Sequence, residues 1–169
     1  MGVVVLVAWA VLAAAIPDAM PAWGSIDRHA PDLFVAFAVW LGVRGTGLHV
    51  VGWSILLGLL ADCASLDPLG TQGFVLGAVT LTLARPRGDR RERAGLGLAA
   101  AVAGGTVLAR VLAALRALPL HRDVDLVGAF GASLPTALWT AVASWPLLAF
   151  LDRTGLADDL TGRRSARAA

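Results

Sequence analysis

Two carboxylates, Asp62 and Asp67, stand in the stretch GLLADCASLDPLG (58–70) of a chain that otherwise keeps charge out of its apolar runs. Paired acids at short spacing can divide general-acid and general-base roles, or hold a divalent metal, when further ligands converge on them. Such ligands are not at hand. His29 and His121 fall in polar connections, His49 lies near the opposite end of the same apolar run, and Cys63 is the only cysteine. A lone thiol makes neither an internal disulfide nor a cysteine-based metal cluster. The chain also lacks a phosphate-binding glycine loop, an HExxH zinc helix, a nucleophile elbow and a dinucleotide glycine pattern. No catalytic residue, metal site or cofactor is assigned.

A second use of charge is structural. Counting about 1.5 Å of rise per helical residue, Asp62 and Arg110 reach similar depths in two apolar runs that point the same way. Ionisable groups at membrane depth are costly, face the bundle interior and usually pair. Asp62 and Arg110 are therefore read as an intramembrane ion pair; in the competing reading Asp62 ends its helix at the interface and Arg110 snorkels. The rest of the stretch reads as a helix exit and re-entry. Ser65 or Asp67 caps the next helix, Pro68 suits its first turn, and Gly70 allows close packing. Gly73 and Gly77 form a GxxxG, which lets two helices approach closely, either within the bundle or against another protein.

The elements that must position these residues are apolar runs at 2–16, 33–43, 48–62, 69–84, 94–118 and 126–151, followed by a polar tail, 154–169. A membrane span needs roughly 20 apolar residues; the last two runs meet this and the first three are short. Arg44-Gly45-Thr46-Gly47 interrupts the region between Asp32 and Asp62. Each glycine inside a helix costs about 1 kcal/mol relative to alanine, and an arginine at the bilayer centre about 2.5–3.5 kcal/mol. A turn at 44–47 removes both penalties, so this region is expected to be a hairpin of two short helices. The fold expected is an all-α integral membrane protein, a bundle of six transmembrane helices over residues 1–153; five, with one long tilted helix, is the alternative. Residues 1–16 lack the positive opening of a cleaved signal peptide and are read as the first span. Pro135 and Pro146 are expected to kink the last helix.

Composition agrees. Of 169 residues, 57% are hydrophobic and 15% charged, against about 25% charged in a soluble domain, and the mean hydropathy is +0.73. The pI of 9.9 would suit nucleic acid, but the net charge is only +2 and the arginines sit between apolar runs. That is a pattern of membrane orientation, not a phosphate-binding face. With six spans, the loop residues Arg85, Arg87, Arg90, Arg91 and Arg93, together with Arg44 and the tail arginines, fall on the cytoplasmic side with both termini. Contact of the basic loop with anionic lipid is a secondary role. Trp23, Trp40 and Trp145 are read as interface anchors, Trp53 and Trp139 as deeper packing.

The block Gly58-Leu59-Leu60-Ala61-Asp62, with Ser65 and Pro68-Leu69-Gly70, resembles the signature of the rod shape-determining protein MreD family. Leu66-Asp67 stands where the family usually has Gly-Ser. "APDLFVAFAVWLGVR" is similar to the family's entry into the second span, and "PTALWTAVASWPLLAFLDR" to its last helix. The resemblance implies a bacterial inner-membrane scaffold of the cell-elongation machinery, with no chemistry of its own. The partners it implies are an MreC-like bitopic protein, MreB, RodA and its transpeptidase partner. It also implies that Asp62 and the Ser–Pro–Gly exit hold one corner of the bundle. The rival reading is the substrate-binding membrane component of an energy-coupling-factor vitamin transporter, similar in size and helix count; it would need a polar ligand pocket, for which Asp62, Asp67, Gln72 and Arg110 are the few candidates.

Overall fold

A computed structural model describes residues 2–19, 31–45, 47–65, 68–84, 96–117, 126–154 and 160. Among the described residues there are six helices and no strand: α1 (Gly2–Ala19), α2 (Leu33–Arg44), α3 (His49–Ser65), α4 (Thr71–Leu83), α5 (Leu96–Ala117) and α6 (Leu126–Thr154). The break between α2 and α3 falls at the arginine–glycine turn, so this region is two helices. Gly45 leaves the helix in an extended conformation and Gly47 adopts φ +83°. Among the described residues the helices number six, not five.

The helix at the centre is α2. Nine of its twelve residues are buried, from Leu33 to Gly42 with Phe34 alone excepted, and it contacts each of the other five helices. A helix apolar on every side belongs in a core. At about 1.5 Å per residue it is about 18 Å long, too short to span a membrane by itself. Its Phe37 stacks between Trp9 of α1, at 4.8 Å, and Trp40 of its own next turn, at 5.4 Å. Trp40 is 1% exposed, so the interface role expected for it is wrong; the indole is core. Trp139, expected deep, is instead on the outer surface.

Polar groups fasten α2 along its length. Trp9 Nε1 donates to the Leu33 carbonyl at 3.0 Å. Thr80 of α4 donates to the Ala38 carbonyl at 3.0 Å and shares a 2.6 Å hydroxyl contact with Ser54 of α3. Both hydroxyls are fully buried, so α2, α3 and α4 meet at one satisfied polar point in an apolar interior.

The pair α3 and α4 packs through glycine. A methyl group on Gly58 would fall on the backbone of Gly73, and one on Gly77 would lie 2.8 Å from Ile55 Cγ1. The GxxxG residues Gly73 and Gly77 thus serve a seam inside the bundle, between two helices joined by a short turn.

The outer surface is apolar. Val3, Val4, Val7 and Val11 of α1 and Leu138, Trp139, Val142, Trp145 and Phe150 of α6 are exposed. Contiguous exposure on that scale is foreign to water-soluble monomers. Two helices carry stretches long and apolar enough to cross a membrane, Gly97–Leu115 and Phe130–Arg153; α6 continues through Pro135 and Pro146 as one helix. The other four are shorter apolar helices.

Gly58→Ala is expected to destabilise the protein by about 3 kcal/mol, the upper end of overpacking costs, because the obstacle is backbone. Gly104→Ala, with nothing within 4 Å of the added carbon, is expected to be neutral or stabilising by up to about 1 kcal/mol. Thermal unfolding of both variants in the same detergent checks the contrast.

Candidate functional site

Asp62 sits near the end of α3 and is 1% exposed. Its two oxygens go to two backbone amides at the start of α4: Oδ2 accepts from Gly70 N–H at 2.7 Å and Oδ1 from Gln72 N–H at 2.8 Å. The first amides of a helix have no partner within it, and the helix dipole adds positive potential there. Among the described residues, a buried carboxylate is thus satisfied by two backbone amides without a counter-ion. Gly70 makes the approach feasible with φ +92°, a left-handed conformation that L side chains rarely adopt.

This geometry corrects two expectations, on Pro68 and Arg110, and supplies a cap the sequence did not suggest. The cap of α4 comes from Asp62 of the preceding helix, while Gly70 at the N-cap position supplies no side chain. Pro68 precedes the first turn and accepts, through its carbonyl, from Thr71 N–H at 3.2 Å and Thr71 Oγ1 at 2.5 Å. Asp62 is not paired with Arg110: its oxygens are taken by amides, and Arg110 is exposed on α5. Asp67 and the side chain of Ser65 lie outside the described residues, as do Arg85, Arg87, Arg90, Arg91 and Arg93.

Asp32 caps α2: its Oδ1 accepts from Val35 N–H at 3.1 Å, and its own N–H donates to Thr140 Oγ1 of α6 at 2.9 Å. Thr140 lies near the middle of α6, so α2 begins part-way through the bundle. The reading from sequence missed this aspartate as a cap, although an Asp directly before an apolar run is an N-cap signal.

The other end of α2 holds a cluster that was also missed. Asp152, near the end of α6, accepts from Arg44 Nη2 at 2.6 Å and from Trp40 Nε1 at 3.0 Å. Both members of the ion pair are largely buried, Arg44 to 12% and Asp152 to 19% exposure. Two residues over one hundred positions apart cannot be matched by spacing, and no sequence signal singled them out.

Among the described residues there is no group of three or more His, Cys, Asp or Glu able to hold a metal ion. Every polar contact just given joins one helix to another or starts a helix. The arrangement can hold helices in register; it does not converge donors and acceptors on a reacting atom.

A family model described as rod shape-determining protein MreD matches residues 1–153. No curated protein and no solved structure matches the chain.

Asp62→Ala is expected to cost about 2–3 kcal/mol, the range for losing a charge-assisted bond to a buried group, and Asp62→Asn less, since one acceptor remains. Exchanging the charges, Asp62→Arg with Arg110→Asp, should give no rescue of the single variants. Recovery of thermal stability in the exchanged protein would show that the two side chains pair.

Proposed function

Because this chain belongs to the rod shape-determining protein MreD family, a bacterial membrane family of the cell-shape machinery, we propose that it is an inner-membrane scaffold of the elongation apparatus. It works by presenting a rigid helical surface to partner membrane proteins. The observation that carries this reading is the family match over nearly the whole helical region. Two features support it: Trp9, Trp40, Arg44, Ser54, Thr80, Thr140 and Asp152 use polar side chains to join helices, and the outer face is apolar.

The partner of first choice is an MreC-like bitopic protein, whose single span would lie against the exposed apolar faces. MreB, RodA and its transpeptidase partner are the further candidates. In this reading all six helices lie in the inner membrane, with the four shorter ones tolerated by local bilayer thinning and by shielding within the bundle. The basic segment 85–93 and the arginine-bearing tail mark the cytoplasmic side, with both termini there. Asp62 serves shape: it holds the α3–α4 corner, and so the contour of the surface those helices present. The vitamin-transporter reading finds no support in the family match.

The test is depletion and capture. Cells deprived of this protein are expected to lose rod shape and recover it with the wild-type gene. Asp62→Ala should restore shape less well than Asp62→Asn. Protein captured from solubilised membranes should bring down an MreC-like protein. Retained rod shape on depletion, together with capture of a paired ATPase and a bound vitamin, would overturn the proposal.

A further inference from the structure

At the Arg44 end of α2, a small open cleft of about 60 Å³ lies between α5 and α6. Its walls are small or apolar, with Leu98, Ala99 and Val102 on one side and Leu148 and Ala149 on the other, while Arg44 and Asp152 close its polar end. Trp145 lines it too and is 42% exposed.

The polar end is not saturated. An arginine usually meets a carboxylate with two parallel N–H bonds. Here Asp152 divides its oxygens, giving Oδ1 to Trp40 and Oδ2 to Arg44 Nη2. Arg44 Nε is left buried without a hydrogen-bond partner. An unmade bond on a charged, buried donor is costly, and an acceptor arriving through the cleft would offset it.

We propose that this cleft binds one anionic phospholipid, its phosphate against the Arg44 guanidinium and the start of an acyl chain along Leu98, Val102 and Leu148. Two observations select a lipid over a soluble anion or a protein side chain. The walls are apolar directly beneath the charged end, which matches a molecule with a phosphate joined to hydrocarbon. The charged end coincides with the terminus of the membrane-length stretch of α6, at Arg153, where headgroups would lie. The site depends on the chain lying in a membrane and is independent of which partner proteins it binds.

The probe is native mass spectrometry of the full-length protein in a neutral detergent, titrated with phosphatidylglycerol, phosphatidylcholine or inorganic phosphate. Phosphatidylglycerol is expected to bind one per chain with about a fivefold preference over phosphatidylcholine, the discrimination of one interfacial arginine. Arg44→Gln should abolish the preference but can also loosen α2 from α6. Ala149→Leu is therefore the decisive variant: it fills the cleft without touching the ion pair. It should remove the preference while leaving the lipid-free melting temperature unchanged. Equal retention of both lipids, a preference that survives Ala149→Leu, or binding of phosphate without phosphatidylglycerol would overturn the proposal. So would a variant that keeps the lipid and loses a co-purifying membrane protein, which would make the cleft a protein interface.

Discussion

The burial of α2 is the constraint on which the other helices depend. A twelve-residue helix surrounded by the other five must have its apolar sides packed and its two polar ends satisfied without water. Asp32 and Thr140 serve the first end, Trp40, Arg44 and Asp152 the second, and Thr80 the middle. Remove any one and a backbone or charged group is left in a medium where an unpaired polar atom is expensive. The outer helices acquire their positions by making those contacts. In particular, α6 is tied to α2 at two points, Thr140 and Asp152, which lie over three turns apart along its length.

The α3–α4 corner follows a related logic at shorter range. Gly58 and Gly73 allow two backbones to touch, and Asp62 draws the start of α4 to the end of α3. Close approach and capping reinforce one another, because the carboxylate reaches the amides only if the helices are near, and the helices stay near because the amides are satisfied. A defined corner is what a protein acting through its surface requires. Whatever docks on a membrane scaffold reads its shape, since hydrophobic burial gives no preference among apolar faces already surrounded by lipid.

Much of this was legible in the residues. The low charge, the apolar runs and the arginine–glycine interruption at 44–47 led directly to six helices. The block from Gly58 to Gly70 pointed to the right family. Asp62 was singled out, and the partner expected for it is not the one its oxygens meet. Searching for a counter-ion, the reading chose Arg110, which is exposed on α5. The error is instructive because backbone amides carry no letter in a sequence, yet the unbonded N–H groups of a helix start are strong donors to a carboxylate. Trp40 was misplaced for a similar reason: tryptophan suits both interface and core, and only the position of Asp152 decides between them.

The sequence by itself determined that this chain is helical, too apolar for water, and broken into segments by glycine and arginine. Those properties follow from transfer energies and backbone preferences that act locally. Tertiary structure alone decided which short helix occupies the centre and which group answers each buried charge. Such pairings form between residues as far apart as Arg44 and Asp152. They are set by where packing brings side chains together, and electrostatic partners are chosen by distance in space, to which spacing along the chain is blind.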